Sequence, residues 1–163
     1  MSTPVFVVDF HESNDAFQFP HARVQYFRLE DDGEYREPSP YDPLFLLELI
    51  CQVYPGVKPE YSELYNRQGY TDYYDVHCMY QTMSKIRPAL IRARRGRGIQ
   101  SFGHYLNVIC VAVGVKNIIV LPPAGFGQNR LDFASPLEAW PVLDKIISDR
   151  MSSYDVKSWG AQS

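Results

Sequence analysis

Hydrophobic residues mark three strand-like segments along the chain. Val5 to Phe10 is almost unbroken in β-branched and aromatic residues, which predicts a strand covered on both faces. His21 to Glu30 alternates between apolar and polar positions, and Val115 to Leu121 is the cleanest apolar run of the chain, so both predict further strands. The sequence Asp31-Asp32-Gly33-Glu34 predicts a turn after the second strand.

Helical patterns fill most of the space between these strands. Asp42-Pro43 predicts a helix start, and the weaker period of residues 60–86 puts one apolar face on Val76, Tyr80, Met83, Ile86 and Leu90. Pro88 predicts a kink or a new helix start, with an end at Gly96 and Gly98. The predicted helices are Leu44 to about Tyr54, the segment around residues 60–86 with its continuation to Arg95, His104 to Val113 before Gly114, and one opened by the capping box Ser135 to Glu138 that runs to about Ser152.

The order helix, glycine, strand predicts an α/β fold. At 163 residues the chain has the length of one domain. We therefore expect a single α/β domain over residues 1–152, with a mixed or mostly parallel sheet and flanking helices, and a polar tail over 153–163. The start of the chain lacks a basic segment before its apolar run, no run is long enough for a membrane helix, and the three cysteines show no Cys-x-x-Cys spacing. These features predict a cytoplasmic protein without a signal peptide or membrane contact.

Charge is strongly segregated along the sequence. Residues 76–130 carry eight Lys/Arg and no acidic residue, whereas residues 1–75 carry five Lys/Arg against fourteen Asp/Glu. The net charge of −3 hides this division. A clustered positive charge raises the local concentration of anions, so an anionic partner is expected to bind the middle segment.

A glycine-containing loop follows the predicted strand 115–121. It reads Pro122-Pro-Ala-Gly-Phe-Gly-Gln-Asn129, and Arg130 comes next. A Gly-x-Gly loop at the carboxyl end of a strand lets backbone N–H groups approach a phosphate, and amides or a guanidinium can add donors. This predicts ligand binding by Gly125, Phe126, Gly127, Gln128 and Asn129. The alternative is a glycine turn that only leaves a buried strand.

The segment from His104 to Arg150, and above all residues 109–129, resembles the late helix–strand–loop segment of macrodomains and of the related poly(ADP-ribose) glycohydrolases. This resemblance implies a macro-like three-layer arrangement in the C-terminal half. It also implies that Gly125, Phe126 and Gly127, preceded by Ala124, wrap the phosphates and distal ribose of an ADP-ribose-like nucleotide. No counterpart of the early asparagine or triple-glycine loop, or of the Gln-Glu-Glu element, precedes residue 104. The implied function is therefore binding by a degenerate domain, without assigned catalytic residues.

The densest basic run gives a second hypothesis, an RNA- or nucleic-acid-binding accessory protein. Arginines would neutralise phosphates, and upstream tyrosines such as Tyr80 would offer stacking faces to bases. The alternative is a solvated helix end whose arginines complement the helix dipole and pair with the acidic N-terminal part. The candidate anion contacts are Arg87, Arg92, Arg94, Arg95 and Arg97.

A third hypothesis is a protein-interaction module of the inhibitor or immunity type, whose acidic part from Glu30 to Glu63 meets a basic partner. The opposite charges of the two segments also predict weak, salt-sensitive self-association. Asp9-x-His11 places a carboxylate and an imidazole at the end of the first strand, but the other histidines complete no metal-ligand spacing. We therefore predict neither a metal site nor a cofactor.

Overall fold

The computed structural model describes residues 2–11, 23–39, 42, 44, 47 and 73–150. These residues form a five-stranded sheet and three helices, which confirms the predicted α/β class and single domain. The elements are β1 (Thr3–Asp9), β2 (Arg23–Leu29), β3 (Tyr35–Arg36), α1 (Tyr73–Arg95), α2 (Phe102–Val113), β4 (Asn117–Leu121), β5 (Leu131–Phe133) and α3 (Pro136–Arg150).

The sheet is mixed, with the strand order β3-β2-β1-β4-β5. Its one parallel pair is β1 with β4, in a register that runs from Val5 opposite Asn117 to Asp9 opposite Leu121. Every other neighbouring pair is antiparallel. Parallel strands need a crossover connection, and α1 and α2 lie in the chain between β1 and β4. Both strands of this pair therefore end at the same edge of the sheet.

The two outer strands, β3 and β5, have two and three residues, and the sequence pattern did not predict them. Apolar alternation needs at least four residues to be recognised, and a strand this short shows none. The turn before β3 was predicted correctly. It has Gly33 at a φ of 83°, and the N–H of Glu30 donates to the carbonyl of Glu34 at 2.9 Å.

The main core lies between one face of the sheet and the described helices. From the sheet it takes Phe6, Val8, Phe10, Val24, Tyr26, Ile118 and Val120, together with buried side chains of α1, α2 and α3. The other face carries a smaller apolar cluster made of Val5, Val7 and Ile119, flanked by Phe27, Leu29 and Leu121. Because all described helices pack on the first face, the three-layer arrangement is not confirmed in this part of the chain.

Helix α1 differs from the predicted pattern at two positions. It runs through Pro88 without ending, because the residue whose carbonyl loses its partner, Ser84, is exposed and can be hydrated. Tyr80 was predicted on the buried face but is 59% exposed, and Met79 is fully buried in its place. The buried stripe is therefore Met79, Met83, Ile86 and Leu90.

Helices α2 and α3 are joined by hydrogen bonds at the start of α2. The Ser101 hydroxyl caps α2 by accepting from the N–H of His104 at 3.2 Å, and it donates to Asp144 of α3 at 2.7 Å. Asp144 also accepts from the N–H of Gly103 at 2.9 Å. One carboxylate therefore ties the first turn of α2 to the middle of α3.

Close packing reinforces this joint. A Cβ on Gly103 would lie 2.5 Å from Trp140 Cδ1 and 2.6 Å from the Trp140 carbonyl oxygen. The ring of His104 stacks on the indole of Trp140 at a centroid distance of 4.6 Å. Burial lowers the pKa of His104, and the negative charge of Asp144 opposes this shift.

Several predicted features lie at or beyond the described ranges. The carboxylate of Asp42 accepts from the N–H of Leu44 at 2.8 Å, as its predicted capping role requires, and it pairs with Arg28 of β2. Three predicted features are outside the described residues: the rest of the predicted helix to Tyr54, Cys51 and the tail 153–163. Cys78 and Cys110 are buried, and neither forms a disulfide within the described part of the chain. Among the described helices, none combines the length and the apolar character needed to cross a membrane.

Candidate functional site

The candidate site lies where β1 and β4 end together. The N–H of Phe10 donates to the carbonyl of Leu121 at 2.9 Å, so the two strands remain paired up to their last residues. His11 then leaves β1 beside the segment Pro122–Asn129, which we call the glycine loop. A parallel strand pair that ends in loops is the place where open α/β sheets bind ligands.

The glycine loop and His11 line a cavity of about 610 Å³. A second cavity of about 490 Å³ shares His11 and residues 123–126 and extends to Phe10 and to Ile146 and Asp149 of α3. We call these two spaces together the loop cleft. Their volumes fall in the usual range for small-molecule sites.

Two glycines give the loop its backbone shape. Gly125 and Gly127 have φ angles of 89° and 97°, which other residues rarely adopt. A Cβ at either position would have no atom within 4 Å, so the space around these glycines is open. The backbone conformation of the loop therefore requires glycine at both positions. Because neither glycine has a side chain or a close neighbour, a ligand can also approach the backbone there.

Most of the loop's backbone donors are unused by the described part of the chain. The N–H of Phe126 donates to the carbonyl of Pro123 at 3.2 Å. Within the described ranges, no acceptor is found for the N–H groups of Gly125, Gly127, Gln128 or Asn129. Successive N–H groups in turn conformations form concavities that bind anions.

His11 is held in place at the cleft by Asp9. The backbone N–H of His11 donates to Asp9 Oδ1 at 2.8 Å, and the imidazole Nδ1 lies 3.5 Å from the same oxygen. The imidazole is about half exposed and lines both cavities. The described residues contain no cluster of three His, Cys, Asp or Glu that could hold a metal ion. Asp9 and His11 therefore form a pair that offers the cleft a nitrogen donor or acceptor.

Arg130 does not point its charge into the cleft. Its Nε donates to Asp132 at 2.9 Å, its Nη2 donates to the hydroxyl of Tyr35 at 3.0 Å, and the guanidinium lies 5.8 Å from the Tyr35 ring centroid. The hydrogen bond to Asp132 raises the pKa of Arg130 above its ordinary value. Arg130 and Tyr35 line a separate cavity of about 150 Å³ together with Val7, Phe27 and other apolar side chains. Arg130 therefore anchors the end of the loop against β3.

The predicted loop residues and the predicted arginines are in different places. Gly125, Phe126, Gly127, Gln128 and Asn129 all line the 610 Å³ cavity. None of the arginines from 87 to 97 is among the described residues around the loop cleft. Three of them, Arg87, Arg92 and Arg95, line another groove of about 580 Å³ along α1. Our expectation that these arginines assist the loop has no support in the described contacts.

Some cleft residues had no signal in the sequence. Ile146 and Asp149 reach the cleft because α3 packs beside β4, and which of its turns arrives there depends on the tertiary fold. His11 could be singled out because it follows directly on a strand. No lysine or arginine is among the described residues that line the cleft. A bound anion would therefore rely on backbone dipoles, neutral amides and His11.

No family model, no curated protein and no solved structure gave a significant match to the chain.

Proposed function

We propose that the loop cleft binds a phosphate-bearing ligand of the ADP-ribose-like nucleotide class. The observation that carries this proposal is the juxtaposition of His11 with the open glycine loop at the shared end of β1 and β4. Unused backbone N–H groups at Gly125, Gly127 and the two residues that follow supply donors for phosphate oxygens.

Other groups around the cleft suit the remaining parts of a nucleotide. Phe126, at the tip of the loop, is 36% exposed and offers an aromatic surface to a base. Asp149 supplies a carboxylate that could accept hydrogen bonds from ribose hydroxyls. His11, oriented by Asp9, can donate to a phosphate oxygen. These roles follow from the chemistry of each group, and they describe binding without assigning a catalytic step.

The proposal extends to a degenerate macro-like domain. The strand β4 followed by the glycine loop is what supports it. In such a domain the second face of the sheet, with Val5, Val7 and Ile119, would be covered by a third layer. The chain order after the loop is different from a nucleotide-binding strand–loop–helix unit, because β5 intervenes before α3. Backbone N–H groups of the loop itself, and not a helix N-terminus, would hold the phosphate.

Calorimetry with ADP-ribose, ADP, adenosine and inorganic phosphate tests this function. We expect a Kd of millimolar or better for ADP-ribose and ADP, and at least tenfold weaker binding by adenosine, which has no phosphate. Gly127→Val should weaken ADP-ribose binding at least tenfold, because a β-branched residue cannot hold a φ of 97° and the loop must rearrange.

Gly33→Val is the matched control. Gly33 has a φ of 83° with nothing within 4 Å of a Cβ, and it lies in the turn before β3, away from the cleft. Both variants should lose similar stability, but only Gly127→Val should lose affinity. An absence of heat at millimolar ADP-ribose, or an equal loss of affinity in both variants, would refute the proposal.

A further inference from the structure

The exposed side of α1 combines aromatic, apolar and basic residues in one groove. The residues recur at helical spacing, so they share one face of the helix. The groove has a volume of about 580 Å³. We call it the α1 groove; its described lining residues are Tyr80, Met83, Ser84, Arg87, Pro88, Ile91, Arg92 and Arg95.

Four arginines lie at or just beyond the end of α1, and three of them are in its last turn. Within the described part of the chain, no carboxylate pairs with Arg92, Arg94, Arg95 or Arg97. This finding does not support the alternative in which helix-end arginines pair with the acidic N-terminal part. No described carboxylate therefore neutralises the positive charge of this helix end, and this charge attracts anions from solution.

Backbone hydrogen bonds from two glycines also contribute to capping the C-terminal end of α1. The N–H of Gly96 donates to the carbonyl of Arg92 at 3.3 Å, and the N–H of Gly98 donates to the carbonyl of Ala93 at 3.0 Å. Gly98 has a φ of 79°, as helix-terminating glycines commonly do. Backbone hydrogen bonds therefore satisfy the carbonyls of Arg92 and Ala93 without an arginine side chain.

Tyr80 gives the groove an aromatic end. It is 59% exposed, although the helix around it buries a continuous stripe of apolar residues. From Tyr80 to Arg95 the helix rises about 22 Å, which matches about six nucleotides at the 3.4 Å spacing of a stacked strand. Single-stranded nucleic acids bind where cations follow the backbone and an aromatic ring stacks on a base.

We propose that the α1 groove binds single-stranded nucleic acid. The arginines would contact successive phosphates, Tyr80 would stack on a base, and the apolar floor at Pro88 and Ile91 would receive neighbouring bases. An acidic amphipathic helix fits less well. Such a helix is held mainly by apolar anchors, whereas three of the eight described lining residues of this groove are arginines. The proposal is independent of nucleotide binding at the loop cleft.

Fluorescence anisotropy with labelled 12-nucleotide uridine and thymidine oligomers at 50 mM salt tests this inference. Arg92→Gln/Arg95→Gln should weaken binding at least tenfold and reduce the steepness of log Kd against log salt by about 1.4, since each phosphate contact on a single strand contributes about 0.7. Lys116→Gln/Lys145→Gln is the matched control, because it removes the same charge from exposed positions outside the groove. This control should change the affinity less than threefold.

A second variant separates stacking from charge. Tyr80→Ala should weaken binding at least fivefold with an unchanged salt dependence, and Tyr80→Phe should restore most of the affinity. Three outcomes would overturn the proposal. These are no binding at 100 μM protein, equal losses in the Arg and Lys double variants, or displacement of the oligomer by polyglutamate as effectively as by unlabelled oligomer, which would indicate an acidic protein partner.

A second copy of the chain is the other competing occupant. The exposed acidic residues Asp31, Asp32 and Glu34 in the turn between β2 and β3 would be its contact. Sedimentation at 50 and 500 mM salt distinguishes the two. If the protein forms salt-sensitive dimers, if Arg92→Gln/Arg95→Gln abolishes them, and if no nucleic-acid oligomer binds, the occupant of the groove is a second copy of the chain. If the protein is a monomer at both salt concentrations and binds the nucleic-acid oligomer, our inference is supported.

Discussion

The loop cleft and the α1 groove both offer sites to an anion, but they do so with different groups. The cleft presents backbone N–H groups, whose positions are fixed by two glycines with positive φ angles, and no Lys or Arg is among its described lining residues. The α1 groove presents guanidinium groups on long side chains along one helix. Backbone donors depend on the shape of the loop, whereas side-chain cations depend on the ionic strength of the solution.

This difference teaches that segregated charge in the sequence and a glycine motif need not describe one site. Both features were predicted in the same half of the chain, and the simplest expectation was that the arginines assist the loop. The structure separates them, with the loop at the end of β4 and the arginines in a groove along α1. Each region can therefore be changed without altering the other, and the salt dependence and the Tyr35→Phe variant test this independence.

The largest effect is expected from Gly103→Ala, which should damage both regions together. The new Cβ would lie 2.5 Å and 2.6 Å from two atoms of Trp140, one of them in the backbone, so α2 and α3 must move apart. We expect a loss of about 3 kcal/mol in the free energy of unfolding, measured by urea denaturation. Gly96→Ala is the control, since its Cβ would meet its nearest atom at an ordinary 3.6 Å. Equal stability of the two variants would contradict our description of the α2–α3 joint.

Salt should separate the two regions most clearly. If the three arginines of the α1 groove contact phosphates, raising the salt from 50 to 200 mM should weaken oligomer binding there about 20-fold. ADP-ribose binding at the loop cleft should change less than about threefold, because no Lys or Arg is among its described lining residues. Anisotropy and calorimetry on the same preparation measure the two changes. Parallel losses at both sites would mean that one surface binds both ligands.

Tyr35→Phe should affect the cleft alone and by a small factor. It removes the 3.0 Å hydrogen bond from Arg130 but keeps the aromatic ring beside the guanidinium. The end of the glycine loop then loses one anchor, and we expect ADP-ribose affinity to fall about twofold to fivefold. Oligomer binding at the α1 groove should not change. An unaltered affinity for ADP-ribose would show that Arg130 does not position the loop.

The smallest effect is expected from a change of pH. It should alter the free energy of unfolding and act on neither binding region directly. Burial lowers the pKa of His104 in the folded protein, so protonation favours the unfolded chain. The stabilising contribution is present above the unfolded pKa of about 6.5 and is lost as the pH falls below it. Urea denaturation at pH 8 and pH 5 should show a larger decrease for the wild type than for His104→Gln. The same decrease in both proteins would exclude His104 as the cause.

Much of the fold could be predicted because its central elements have long, regular patterns. The strands β1, β2 and β4 and the helix α2 with its stop at Gly114 are each marked by uninterrupted or alternating apolar residues. Strands β3 and β5 are too short for a pattern. Of the two alternatives predicted at Pro88, a kink or a new helix start, the new start does not occur, since an exposed helix can pass through a proline when water replaces the lost hydrogen bond.

The candidate site was predicted only in part, for a related reason. The glycine loop and Asp9-x-His11 could be recognised because each follows directly on a strand. Contacts between distant residues could not: Tyr35 with Arg130, Ser101 with Asp144, and Asp149 with the cleft depend on how separate elements pack. The burial of Tyr80 was predicted wrongly because positions 79 and 80 fit the helical period almost equally well, and only packing against the sheet decides between them.

The central position of β1 has a consequence for the way the chain folds. One neighbour of this strand, β2, follows soon after it, but the other, β4, comes only after α1 and α2. The parallel partner of Val5 is Asn117, which is synthesised much later than Val5. During synthesis an apolar strand with one unpaired edge is exposed until most of the chain has emerged, and such non-local pairing slows folding. Completion of the sheet, and of the loop cleft at its edge, is thus among the last steps by which this protein reaches its native state.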